Sequence, residues 1–260
     1  MNSPSKILVF DSGLGGLTVF REILAARPDA QYFYLADDAR FPYGRIPESE
    51  LIPRVLGIIG DAIAAHAPDL VVIACNTAST LALKQLRERF KVPFVGTVPA
   101  IKPACAQSQS KMVSVLGTEA TVAREYTMGL IREFAQGCDV KLVGSAWLAA
   151  FAEAELNGNP ASDEAIAAEL APCFVTDGAR RTDTVALACT HYPLLGERLK
   201  QLAPWPVDWI DPAPAIARRV LDLTGKPAAQ KGPPASITFT SGRTPSPQLA
   251  KALADFGFNM

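Results

Sequence analysis

The chain has 260 residues, 49% hydrophobic and 20% charged, with a net charge of −1. These values fit one large or two medium globular domains with ample core, and they give no electrostatic reason to expect a nucleic-acid or anionic-membrane partner. No apolar run approaches the ~18 residues of a membrane span, and the four apolar residues after Lys6 are too few for a signal peptide, so a cytoplasmic location is expected.

Ile7–Phe10 reads as a first strand, running into Asp11-Ser12-Gly13-Leu14-Gly15-Gly16-Leu17-Thr18 and then a helix to about Arg27. Thr18 stands where a dinucleotide fingerprint needs its third glycine, and no Walker motif is present. Asp11 and Ser12 either hold a small anionic or zwitterionic ligand or cap the helix. Gln31–Ala36 is a second strand, followed by the shaped turn Arg40-Phe41-Pro42-Tyr43-Gly44-Arg45. There Tyr43 is a ligand contact or a packed aromatic. Glu48–His66 is a long helix, with His66 a surface residue near its C-terminal end.

Leu70-Val71-Val72-Ile73-Ala74 is a short, β-branched, buried strand that delivers Cys75-Asn76-Thr77, with a helix expected over 81–90. Val92–Pro99 is a proline-rich crossover and the expected domain boundary. The second half expects strands at 112–116, 141–144, 184–188, 208–210 and 236–240. Helices are expected from about Gly117 to Phe134, then at 146–156, 164–174, 194–202, 212–223 and 247–256. The Pro/Gly/Ala-rich stretch 226–234 is expected to be a mobile loop. The alternation predicts α/β architecture with mainly parallel sheets.

An internal repeat is also legible. Phe10-Asp11-Ser12 corresponds to Leu116-Gly117-Thr118, and the strand ending at Cys75 to the one ending at Cys189; the offsets are 106 and 114 residues. Two similar lobes are therefore expected, 1–97 plus 208–260 and 98–207, with strand ends facing each other across a cleft.

Five cysteines, no C-x-x-C pair and only two histidines argue against a disulfide framework or a zinc site. Cys75 and Cys189 each sit where a strand stops and a helix begins, where amide N–H groups and the helix dipole favour a thiolate. Cys105, Cys138 and Cys173 lack that setting and are read as structural. A Cys/His hydrolase using His191 would leave one of the pair idle, and thiol redox exchange usually uses C-x-x-C. Proton transfer by two bases uses both, one on each face of a carbon. A thiol pKa of ~8.5 suits that work after modest tuning.

The motifs resemble those of the glutamate racemases of the aspartate/glutamate racemase family. The resemblance rests on Asp11 to Val19, Pro42-Tyr43-Gly44, Ala74-Cys75-Asn76-Thr77-Ala78, Gly96 to Ala100, Leu116 to Thr121 and Cys189-Thr190-His191-Tyr192-Pro193-Leu194-Leu195. They occur in family order from residue 7 to about residue 196.

The resemblance implies two flavodoxin-like lobes with the active site between them. It implies cofactor-independent interconversion of L- and D-glutamate, supplying D-glutamate for peptidoglycan. Cys75 and Cys189 match the family's acid/base cysteines, the first acting on D-glutamate and the second on L-glutamate. Asp11 and His191 match the residues that assist them. Ser12, Tyr43, Gly44, Asn76, Thr77, Thr118 and Thr190 match positions that contact substrate, and members of the family are often homodimers. The family's second-lobe acidic residue maps to Glu153 or Glu155. Ala188 stands where a glycine is common, and its methyl is expected to narrow the cleft slightly. The rivals are a racemase for aspartate or another amino acid, and a non-catalytic two-lobed amino-acid-binding module.

Overall fold

Strands that are apolar on both faces need a layer of helices on each side. The computed structural model describes residues 4–259; residues 1–3 and 260, the outer ends of the first expected lobe, lie outside the described residues. The first half comprises β1 (Lys6–Asp11), α1 (Leu17–Ala26), β2 (Gln31–Ala36), α2 (Glu48–His66), β3 (Leu70–Ile73), α3 (Asn76–Arg89), β4 (Phe94–Gly96) and α4 (Ile101–Gln107). It continues through β5 (Met112–Thr118), α5 (Glu119–Val122), α6 (Glu125–Phe134), β6 (Asp139–Ser145), α7 (Leu148–Leu156) and α8 (Asp163–Leu170). Then come β7 (Thr176–Asp177), β8 (Arg180–Arg181), β9 (Thr184–Ala188), α9 (Gly196–Leu202), β10 (Asp208–Ile210), α10 (Ala213–Thr224), β11 (Ser236–Phe239) and α11 (Pro247–Asp255).

Two parallel sheets result, ordered β11-β2-β1-β3-β4 and β10-β9-β5-β6, with β7 and β8 forming a small antiparallel hairpin. Within them β2-β1-β3-β4 and β6-β5-β9-β10 follow the same order. The repeat read in the sequence is thus a repeat of topology, and the α/β expectation with mainly parallel sheets holds. Sheet membership differs from the expected division at one strand. Residues 208–210, expected with the first lobe, pair with β9, Trp209 lying opposite Val185. The chain crosses back only after β10, where α10 packs Ile216 and Val220 into the core that α1 also fills.

Alternation along the strands decides what each face carries. In β3, Leu70 and Val72 face one core while Val71 and Ile73 face the other, and Cys75 continues the second set. In β9, Val185 and Leu187 lie on one side with Cys189, while Ala186 and Ala188 lie on the other. The Ala188 methyl therefore joins the core that α4 fills with Ile101, Ala104 and Cys105, on the side away from Cys189, and does not narrow the cleft as expected. Several elements differ from the sequence reading. The crossover contains β4 and is followed by α4, α3 starts at Asn76, the helix expected after Gly117 is split into α5 and α6, and the β7–β8 hairpin was not foreseen.

Candidate active site

The sheets bring their strand ends together around one small cavity of ≈ 20 Å³. Ser12, Tyr43, Gly44, Cys75, Asn76, Thr77, Thr118, Cys189, Thr190 and His191 all line it. Asp11, also expected at the site, lies directly behind, fully buried, with its Oδ1 accepting the Thr190 hydroxyl at 3.2 Å.

Local folding places each group. Cys75 is the N-cap of α3, its sulfur accepting the Ala78 N–H at 3.5 Å and its S–H donating to Ser12 Oγ at 3.4 Å. A sulfur held by a helix-start amide sits at the positive end of the dipole. Asp11 does not make a side-chain cap on α1, whose N-cap Gly16 has none. Its Oδ2 accepts the Gly13 N–H at 3.0 Å, which fixes the glycine-rich loop. That loop reaches the opposite sheet: Leu14 N–H donates to Glu153 Oε1 at 2.7 Å, and Thr18 Oγ1 donates to the Thr190 carbonyl at 3.2 Å.

Around Cys189 the partner is His191, whose Nδ1 lies 3.9 Å from the sulfur. Its Nε2 lies 3.1 Å from both Glu153 Oε1 and Gly15 N. A protonated Nε2 donates to the carboxylate, and a bare one accepts from the amide. Of the two acidic residues, Glu153 is thus the one that meets His191, while Glu155 pairs with Arg198 at 2.8 Å. Phe41 lines the cavity and lies 5.1 Å, ring to ring, from His191. Phe41, Pro42 and Ala149 complete the lining. The first two fall within the turn singled out in the sequence, but nothing in the sequence marked Ala149.

Burial pushes the Cys75 thiol up to about 12, with Asp11 adding to the effect. Burial also raises the Asp11 carboxyl, against the opposing His191 charge and the loop amides. For His191 burial works the other way, but hydrogen bonds to Cys189 and Glu153 and the Asp11 charge outweigh it, holding the imidazole well above its usual range. An imidazolium beside a sulfur offers a thiolate its countercharge. The two thiols therefore have different surroundings, a serine hydroxyl and a carboxylate for one and an imidazole–carboxylate pair for the other.

The remaining groups are hydrogen-bond donors and acceptors. The hydroxyls of Thr77, Thr118 and Thr121 form a cluster with separations of 2.9–3.3 Å that bridges the two sheets' loops. Both polar atoms of the Asn76 amide are buried with no partner among the described residues. Tyr43 proves to be packed and lining at once. Its hydroxyl donates to Asp37 Oδ2 at 2.5 Å, and its ring sits against Phe10. A Cβ on Gly44 would meet Thr118 at 3.2 Å, so this glycine permits the close approach of the two sides.

Known proteins resemble this chain over most of its length. The family described as Asp/Glu/Hydantoin racemase matches residues 12–220. A glutamate racemase of Brucella ovis is 56% identical over 218 residues, covering 84% of this chain and 79% of that one. One from Brucella anthropi is 53% identical over 223 residues, covering 85% and 80%. Among solved structures, Escherichia coli glutamate racemase in complex with L-glutamate and the activator UDP-MurNAc-ala superposes with a TM-score of 0.89 at 39% identity, over 98% of this chain and 96% of that one. Glutamate racemase isoform RacE1 from Bacillus anthracis gives 0.84 at 26% identity, over 99% and 97%. With two thiols on equivalent strand ends and relatives that agree over most of its length, the chain belongs to the Asp/Glu/hydantoin racemase family.

Proposed function

We propose that this protein interconverts L- and D-glutamate by proton transfer between the α-carbon and its own two thiols, supplying D-glutamate for peptidoglycan in the cytoplasm. The observation that carries the reading is the placement of Cys75 and Cys189 on equivalent strand ends of two like-ordered sheets, lining one cavity. In the L-to-D direction Cys189, as thiolate, takes the α-proton, and the Cys75 thiol delivers one to the opposite face. The raised pKa of Cys75 suits it to be the acid of the pair in this state. In the D-to-L direction the roles exchange. Asp11 and His191 hold and tune the thiols, and Glu153 orients His191. Helix-start amides and the neutral side chains of Ser12, Asn76, Thr77, Thr118 and Thr190 serve the substrate's amino and carboxylate groups. Donors already aimed at the site stabilise the developing carbanion without reorganising.

The two sheets act as two lobes, residues to about 97 together with those from about 213 onward, and the segment between. A cavity of ≈ 20 Å³ is far smaller than an amino acid, so the lobes part to admit glutamate and close to exclude water. The crossover at Pro99 is the hinge.

Incubation of each glutamate enantiomer in heavy water tests the reading. The product of opposite hand carries deuterium at the α-carbon, followed by proton NMR and a chiral separation. Exchange with aspartate and none with glutamate would transfer the proposal to the aspartate racemases, and binding without exchange would leave a binding module. A second expectation concerns Asn76. Its amide makes no hydrogen bond among the described residues, so removing it leaves none of them an unpaired partner. Asn76→Ala raises KM for glutamate about tenfold or more, the loss of one or two hydrogen bonds to a charged group, while its Tm stays at or above that of the parent.

A further inference from the structure

One cationic side chain beside the His191 assembly has no role in the chemistry above. Arg243 follows β11 on a loop fixed to the first lobe. Ser241 donates to Asp38 through both its N–H and its hydroxyl, at 3.0 and 2.5 Å, and Gly242 turns the chain at φ +71°. The guanidinium stacks over the Phe239 ring at 4.6 Å, with Nε 2.9 Å from Asp38 Oδ2 and Nη2 4.0 Å from Glu153 Oε2. Both nitrogens are buried, and neither is aligned for a hydrogen bond. Glu153 Oε1 is already committed to Leu14 N–H and His191, which leaves Oε2 facing the cation.

We propose that Arg243 is a positioning residue for the Cys189 half of the site, holding Glu153 against His191 from across the cleft while the lobes are closed. Its position on the loop after β11 is what makes the contact conditional. Asp38 and Arg243 belong to the first sheet's side, whereas Glu153 is on α7 and His191 follows β9. When the lobes part, Glu153 loses Arg243 and Leu14 N–H together, and His191 loses Gly15. The acid/base assembly of the second lobe is therefore complete only around an enclosed substrate. The proposal rests on the racemase reading for its kinetic consequences but not for its geometry.

Glu153 is faced by His191 from its own lobe, and by Arg243, Asp11 and Tyr34 from the other. Removing the cation from beside the His191–Glu153 pair makes the pair hold its protons up to a higher pH, since it loses a positive neighbour that opposes protonation. Activity is then lost at a higher pH on the acid side. The test compares wild type, Arg243→Gln and Arg243→Lys by the pH profile of kcat/KM for glutamate and by NMR of the histidine rings. The chain's two histidines are assigned with His66→Gln. R243Q loses about tenfold in kcat/KM near neutrality, the equivalent of about one pKa unit, its acid limb moves upward, and its His191 ring signal shifts. R243K returns both towards wild type. An acid limb in R243Q that coincides with wild type, even with a lowered rate or Tm, overturns the proposal. A wild type that does not racemise glutamate overturns the functional reading instead, and the ring signal then decides: an unmoved His191 resonance in R243Q overturns the role of Arg243.

Discussion

Cys75→Ala and Cys189→Ala each lose racemisation of glutamate in both directions, by about 10²–10⁴-fold in kcat/KM, the range that positioned acid–base groups supply. The two-thiol proposal requires the same loss from either side, because in it every turnover uses both thiols, one as base and one as acid. A hydrolytic or single-base mechanism would instead spare one variant. Both cysteines are buried small side chains in packed cores, Cys75 with Val71 and Ile73, Cys189 with Val185 and Leu187. Alanine leaves only a small void in either place, so both variants remain folded. Racemisation assays with circular dichroism as the folding control check the result, and wild-type turnover by either variant would end the two-thiol account. Replacing Cys105 or Cys138, which do not line the cavity, leaves the rate within about twofold, as expected for residues that touch neither substrate nor thiol.

Gly15→Ala has the second large effect, although residue 15 performs no chemistry. A Cβ there would fall on the His191 imidazole, within contact of Nδ1 and 2.7 Å from Cε1. The backbone is held on both sides, by the Gly13 amide on Asp11 and by Leu14 on Glu153, so the ring must give way. A displacement on the order of 1 Å at a catalytic group costs about 10²-fold in rate. G15A therefore keeps its fold and loses about 10²-fold in kcat. A crystal structure would show the imidazole rotated away from Cys189 Sγ. Full activity in G15A would mean that the His191 position does not govern the chemistry.

Much of this site is written locally in the chain. The strands before Cys75 and Cys189 are continuous apolar runs, and a period of two carries each thiol to the same kind of face as its buried neighbours. The start of α3 was less legible. Its cap is a thiol, outside the Ser/Thr/Asp/Asn set that marks helix starts, so the helix was expected only from Leu81. Strand β4 is three residues between Pro93 and Pro99, too short and too proline-bound for a periodic signal. The split between α5 and α6 comes from a local competitor, Thr127 Oγ1 donating to the Thr121 carbonyl at 2.6 Å.

The choice between Glu153 and Glu155 needed the third dimension. Two positions apart on a helix, they point roughly 200° from each other, so one meets His191 and the other Arg198. Spacing shows that they diverge but not which one faces inward. Strand 208–210 was likewise misassigned because parallel pairing joins segments distant in sequence, and no local pattern records the partner.

The two thiols have unlike companions, yet that inequality cannot bias the final mixture. Enantiomers have equal free energy in water, so the racemisation equilibrium constant is fixed at unity, and kcat/KM must be identical for L- and D-glutamate in this protein and in every variant of it. What Asp11 on one side and His191 with Glu153 on the other can change is how that common ratio divides. A hand of substrate that is held more tightly must turn over more slowly by the same factor.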